Sequence, residues 1–224
     1  MNGFAARWPG PDCLEAGRRV CMMDNRANLT IYRRHAPIYD RWMRLWTAGC
    51  RGKAIEYLDL KPGERLLIPG VGTGLDLPYL PADLSVTGVD LSPEMLGRAR
   101  DKGWKPAGLC VMDGQLLAFS NRYFDAVLLN LILSVVPDGK KALEEAWRVL
   151  RPGGRAVVFD KFLPEGAQST VWRELVGGLI RRLGTDPNRR FSDMVRDLPD
   201  LLIEKDEPVL LQGQYRILLL TKLS

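Results

Sequence analysis

The chain has 224 residues, of which 46% are hydrophobic and 26% charged, with a formal net charge of +5. That is enough for one well-buried α/β domain, short for two, and too apolar for a disordered protein. The basic balance favours anionic partners (nucleic acid, acidic small molecules, an anionic membrane surface) without choosing among them.

Residues 1–25 are rich in Gly and Pro, show no period and lack the apolar core of a secretory signal, so they predict an irregular arm. Residues 26–60 predict a helical cap. There Ile38, Trp42, Leu45, Trp46, Ile55 and Leu58 recur at helical spacing, with a break at Gly49 and Gly52. Residues 61–224 predict one α/β unit packed with that cap. Its first strand is Arg65 to Pro69, followed by the glycine loop "PGVGTG" and a short helix. A second strand is Leu84 to Asp90. Ser92 as N-cap and Pro93 in the first turn open a helix. "AGLCVMD" and "YFDAVLLNLIL" predict the third and fourth strands, the latter with the continuous hydrophobicity of a strand buried on both faces. Ala142, Leu143, Ala146, Trp147 and Leu150 form the stripe of a helix that Pro152-Gly153 stops, and "RAVVFDKF" is a fifth strand. This alternation predicts a parallel sheet with right-handed crossovers. Ser169 to Gly184 then has helical spacing, and two late strands joined around Gln212-Gly213 predict an antiparallel pair.

No window reaches the roughly 18 apolar residues of a membrane span. Cys13, Cys21, Cys50 and Cys110 have neither metal nor redox spacing, and the single histidine, His35, cannot complete a Cys/His site. The thiols read as free in a reducing cytoplasm, and no metal centre is expected.

Gly70, Gly72 and Gly74 stand at G-x-G-x-G spacing between a strand and the next element, where missing side chains let backbone approach a ligand. A dinucleotide fingerprint would need glycine where Leu75 stands. Asp90 ends the second strand twenty residues after Gly70, and a carboxylate there can accept both hydrogen bonds of a ribose diol. Together these point to a nucleoside-type ligand. Asp113, at the end of the third strand, extends the same crevice and can accept from an adenine amino group.

From about Tyr32 to Phe162 the chain resembles the class I S-adenosylmethionine-dependent methyltransferases. The resemblance rests on "PGVGTG", "VTGVDLSPEML", "VMDGQLLAFSNRYFDAV" and "ALEEAWRVLRPGGRAVVFD", in that order. It implies a Rossmann-like α/β fold with a mostly parallel seven-stranded sheet of order 3-2-1-4-5-7-6, an antiparallel last strand and an N-terminal helical cap. It also implies S-adenosyl-L-methionine as cofactor. The backbone from Pro69 through Gly70, Val71 and Gly72 to Gly74 would face the methionine part, and Asp90 would bind the ribose. Leu91 and Met95 would pack near the adenine. Asp113 would bind its amino group, with Gly114 and Gln115 lining the ring, and Asn130 would sit beside the sulfonium and the acceptor. The chain departs from the family at one place: the acid that usually stands two residues before the first glycine is Ile68, followed by Pro69. Asp76, just past the loop, is a candidate substitute, although an acid at a helix N-terminus has its own explanation.

Within the class, "YRRHAPIYDRWM" and "FDAVLLNLILSVVPD" are most similar to two groups: quinone-biosynthesis C-methyltransferases and bacterial phosphatidylethanolamine N-methyltransferases. "SVVPD" and "GQYRILLL" lean to the second. The resemblance implies that Tyr39 closes over the cofactor. An amine acceptor needs only to arrive deprotonated, whereas a carbon or phenol acceptor needs a general base, for which His35, Tyr32 and Tyr39 are the candidates. Metal-assisted transfer would need clustered carboxylates near the fourth strand, where only Asp138 stands. Basic residues in the cap (Arg33, Arg34, Arg41, Arg44, Arg51, Lys53) and around the late helix (Arg181, Arg182, Arg189, Arg190) are expected to favour an anionic membrane surface. The expected protein is a monomer or homodimer in the cytoplasm, peripheral at the inner membrane surface, with a small-molecule or lipid acceptor. A nucleic-acid substrate is disfavoured, because no "N/D-P-P-Y" motif follows the fourth strand.

Overall fold

The computed structural model describes residues 46–102, 107–163 and 189–224. A helix at 46–57 (α1) leads into β1 (Arg65–Pro69), β2 (Ser85–Asp90), β3 (Ala107–Val111), β4 (Phe124–Asn130), β5 (Leu150–Lys161), β6 (Leu201–Leu210) and β7 (Tyr215–Lys222). Three further helices are α2 (Pro93–Asp101), α3 (Gly139–Val149) and α4 (Phe191–Val195). The strands form one sheet of order β3-β2-β1-β4-β5-β7-β6. β1 to β5 are parallel, and β7 runs antiparallel to both β5 and β6. This is the topology that the resemblance implied, including the late antiparallel pair.

Strict alternation along the central strands explains why the sheet is covered on both faces. Leu67, Val127, Leu129 and Val158 belong to a core completed by Leu143 and Trp147 of α3 and Met194 of α4. Leu66, Ile68, Ala126, Leu128 and Val157 belong to the opposite core, completed by Ala54 and Ile55 of α1, Leu58 just past its end, and Leu96 and Ala99 of α2. With period-2 side chains, each strand feeds both layers, which is why β1 and β4 read as unbroken apolar runs. The helix ends are satisfied locally. Ser92 Oγ accepts from Met95 N at 3.2 Å, and Asp138 Oδ1 accepts from Lys141 N at 3.0 Å. At the other end of α3, Lys222 Nζ donates to the carbonyls of Trp147 (2.6 Å) and Leu150 (3.1 Å); burial pushes this ammonium below its usual pKa.

The structure refines one expectation and corrects two. The short helix after the glycine loop is a single 3₁₀ turn, Leu77–Tyr79. Pro78 stands in its first turn, where no amide donor is needed, and Pro81 lacks the donor that would carry the helix on. The fourth strand stops at Asn130, because Leu131 takes a left-handed φ of 57° and turns the chain out of the sheet. The "RPGG" segment does not separate α3 from the fifth strand. It begins that strand, with Leu150 paired to Phe124 and an irregularity before Arg155. The expected arm, the cap before residue 46 and the helix at 169–184 lie outside the described residues. Among the described residues, no helix is long and apolar enough to cross a membrane.

Candidate functional site

Parallel strands end on one edge, so the sheet gathers Gly70, Asp90, Asn130 and Asp160 from the ends of β1, β2, β4 and β5. The glycine loop is fastened by Val71 N donating to Val89 O (3.0 Å) and Gly74 N donating to Val71 O (2.9 Å). All three glycines are left-handed, at φ of 67°, 55° and 74°. Their surroundings differ. A Cβ on Gly70 would lie 2.5 Å from Ile132 Cδ1, and one on Gly74 would lie 2.6 Å from Leu77 Cδ1. A Cβ on Gly72 would meet nothing nearer than Gly70 O at 3.9 Å. Gly72 is therefore the point where the loop opens onto free space, while Gly70 and Gly74 are glycines for packing as well as conformation.

On the β2 side, Asp90 is held by two backbone donors, Gly72 N to Oδ2 and Ser92 N to Oδ1, both at 2.9 Å. Burial pushes its carboxyl pKa up, and the amides of Ser92, Gly72 and Leu91 oppose this. Each oxygen retains acceptor capacity. Leu91 and Met95 are half-buried where α2 begins, and the core of that helix is instead Leu96 and Ala99. Asp113 lies two residues past the end of β3, and its Oδ1 accepts from Gln115 N (2.9 Å) and Nε2 (3.0 Å). Gln115 is buried and passes the connection on, its Oε1 accepting from Asp138 N at 2.8 Å. Gly114 packs against the post-β4 turn and the end of β1: a Cβ there would meet Ile132 Cδ1 at 3.2 Å and Pro69 Cβ at 3.7 Å.

On the β4 side the chemistry is different. Asn130 is buried, and its Nδ2 donates to Asp76 Oδ1 at 2.7 Å. The same oxygen accepts from Arg51 Nη1 at 2.6 Å, in an ion pair whose side chains are 8% and 4% exposed. Arg51 Nε in turn donates to Thr47 Oγ1 at 3.0 Å. Because a carboxylate only accepts, it fixes the Asn130 amide with nitrogen towards Asp76 and oxygen away. That oxygen, Oδ1, is buried without a hydrogen-bond partner among the described residues; Thr73 Oγ1 is the other such atom. Ile68, in the position of the absent acid, shares the α1-side core and is 1% exposed.

The turn after β4 is clamped from three sides. Leu131 N donates to Phe159 O at 2.7 Å, and Ser134 N donates to Asp160 Oδ2 at 3.0 Å. The Arg189 guanidinium donates to the carbonyls of Leu133, Val136 (2.7 Å) and Pro137 (2.7 Å). Asp160 is fully buried, and burial raises its pKa. These contacts seat Ile132 against Gly70 and Gly114. Two of the expected surface cations are therefore engaged within the fold, Arg51 with Asp76 and Arg189 with the post-β4 turn, while Lys53 pairs with Glu207 at the surface. His35 and Tyr39 lie outside the described residues.

Sequence reasoning thus found Asp90, Asp113, Gln115 and Asn130 at one edge, and weighed Asp76. It missed Arg51, Asp160, Ile132 and Arg189 as parts of the site. A signal for Arg51 was present: Thr47, Arg51, Ala54 and Ile55 of α1 and Leu58 just past its end form one buried stripe, and a cation on such a stripe calls for a buried partner. The site as built offers a carboxylate with spare acceptor capacity at Asp90, open space over Gly72 and an acceptor without a partner among the described residues at Asn130 Oδ1.

Comparison with known proteins agrees. Residues 67–158 match the family model described as a methyltransferase domain. The chain is 38% identical over 161 residues to a phosphatidylethanolamine N-methyltransferase of Cereibacter sphaeroides, covering 70% of this chain and 79% of that protein. It is 35% identical over 147 residues to a 2-phytyl-1,4-naphtoquinone methyltransferase of Synechococcus elongatus, covering 58% of this chain and 61% of that one. Among solved structures, the YcgJ protein of Bacillus subtilis superposes with a TM-score of 0.60 at 24% identity, covering 70% of this chain and 69% of that one.

Proposed function

The chain belongs to the class I S-adenosylmethionine-dependent methyltransferases, and from that premise we propose that it methylates the amine head group of a phospholipid such as phosphatidylethanolamine. The enzyme uses S-adenosylmethionine and acts on a small or amphiphilic acceptor. When bound, that cofactor supplies an electrophilic methyl group on a sulfonium. In this reading Asp90 accepts from the ribose hydroxyls, and Leu91 and Met95 flank the adenine. Asp113 accepts from the adenine amino group, with Gly114 and Gln115 along the ring. The backbone from Pro69 and Gly70 past Val71 and Gly72 to Gly74 faces the amino-acid end, next to Asn130. Positioning of the two reactants then supplies much of the acceleration.

The likeness to the phosphatidylethanolamine N-methyltransferase carries the choice of acceptor. A chemical argument supports it: an amine that arrives deprotonated needs no base, while a carbon acceptor does. The carboxylates around Asn130 are engaged, Asp76 by Arg51 and Asp160 by Ser134. Meeting the lipid at the inner face of an anionic membrane follows from the acceptor. The likeness to the naphthoquinone enzyme favours a second reading, C-methylation of a quinone precursor, with His35 or Tyr39 as base.

Incubation with methyl-labelled cofactor and two vesicle types separates these. One type contains phosphatidylethanolamine with an anionic lipid, and the other contains a demethylated quinol. Label in mono- and dimethylated lipid amine is the expected result. Label in the quinol alone, or in neither, overturns the lipid assignment.

A further inference from the structure

Ile68 leaves a cofactor ammonium without the acid that usually receives it, and the structure assigns that task to a neutral atom. We propose that Asn130 Oδ1 accepts the α-ammonium of the cofactor's methionine part, and that Asp76 and Arg51 are positioning residues that hold it in that orientation. The inference rests on the S-adenosylmethionine reading of the site but not on the identity of the methyl acceptor.

Four observations converge. Asn130 is 6% exposed, and its Oδ1 has no partner among the described residues, so a buried acceptor stands ready for a donor. The β1–β4 register pairs Leu66 with Ala126 and Leu67 with Val127, so three residues further on Asn130 stands level with Gly70. Ile68 and Asn130 alternate onto the same, α1-facing side of the sheet, the side on which Arg51 and Asp76 meet. Finally, β4 ends two strand spacings from β2, about 10 Å, which a nucleoside with a short aliphatic tail covers from Asp90.

The charges explain why Asp76 does not do the work directly. Its Oδ1 already takes both Arg51 Nη1 and Asn130 Nδ2, so its charge is offset inside the protein. What it supplies is direction. Turning the Asn130 amide over would set its oxygen against an Asp76 oxygen, so Oδ1 stays turned away from the carboxylate. Arg51 supplies the countercharge to this buried carboxylate, and because it belongs to α1 it ties that helix to the cofactor site. No covalent step is involved; Arg51 and Asp76 hold one acceptor, Asn130 Oδ1, in place to receive an N–H.

The test is binding, with no methyl acceptor present. The full chain is titrated with S-adenosylhomocysteine, with its analogue lacking the α-amino group, and with 5′-methylthioadenosine, which lacks the amino-acid end. Wild type is expected to prefer S-adenosylhomocysteine over the deamino analogue by about tenfold or more, as a charge-assisted hydrogen bond would give. Asn130→Ala and the isosteric Asp76→Asn should bring that preference to within about threefold of unity while 5′-methylthioadenosine binds as before. Arg51→Lys, which keeps the cation, should retain most of the preference. A wild type without the preference overturns the proposal whatever the variants do. So does a preference that survives in Asn130→Ala. A variant that loses all three ligands equally shows a merely structural role and also overturns it. Failure of wild type to bind any of the three overturns the cofactor reading itself.

Discussion

The two halves of the site are built by different means. The half at the ends of β2 and β3, to which we assign the adenosine, uses contacts 2 and 18 residues apart: Asp90 with Ser92 and Gly72, and Asp113 with Gln115. The other half, at the ends of β1 and β4, depends on contacts 25 and 54 residues apart, Arg51 to Asp76 and Asp76 to Asn130. The first half is a motif that travels with its own loop. The second is a tertiary arrangement, so one of its members can change, as at Ile68, if others take over the task.

Restoring an acid at Ile68 breaks the comparison most sharply. Ile68→Asp would bury a carboxylate on the face that already holds Asp76, with Arg51 engaged, and is expected to cost about 3 kcal/mol or more in urea unfolding. Stability close to wild type would mean that this half still has room for the usual acid. Gly70→Ala comes next. A left-handed φ of 67° and a Cβ 2.5 Å from Ile132 Cδ1 should together cost about 2 to 4 kcal/mol. Gly72→Ala has open space and should cost only the conformational part, about 1 to 2 kcal/mol, so that its larger effect falls on cofactor affinity. Equal stability losses at the two glycines would contradict the different surroundings described for them. Ser92→Ala removes the cap of α2 in the adenosine half and should cost about 1 kcal/mol.

The smallest effect lies away from both halves, at the opposite edge of the sheet. Burial alone would raise the carboxyl pKa of Asp125, but hydrogen bonds from Arg65 and Arg151 bring it to about 2. A carboxyl depressed from 3.8 stabilises the fold fully above that value, and the contribution fades as pH falls towards 2. The stability gap between wild type and Asp125→Asn should therefore be level above about pH 5 and narrow between pH 4 and 2. A gap that widens on acidification would reverse the sign of this argument.

What was legible in the sequence follows the same division. β1 runs from Arg65 to Pro69 as its hydrophobic pattern indicates, and Ser92 and Pro93 mark the start of α2, because burial on two faces and helix capping are local properties. Asp90 was legible because strand, loop and acid lie within one crossover. The short helix after the glycine loop was legible as an element, and Pro81 explains why it is only the turn Leu77–Tyr79. The Arg51–Asp76–Asn130 network has no characteristic spacing, and only the cation on the apolar stripe of α1 pointed to it. The clamp of Arg189 on the post-β4 turn is of the same kind: a guanidinium that read as surface charge serves backbone carbonyls.

Asp90, which we assign to the ribose, is the side chain on which cofactor binding should depend most. Calorimetric titration of S-adenosylhomocysteine into the full chain and into Asp90→Ala tests it directly. One equivalent should bind to wild type, with affinity reduced by about 100-fold or more in the variant, as expected when two charge-assisted hydrogen bonds are lost. No binding to wild type at millimolar ligand, tighter binding of NADH than of S-adenosylhomocysteine, or equal affinity in the variant would contradict it.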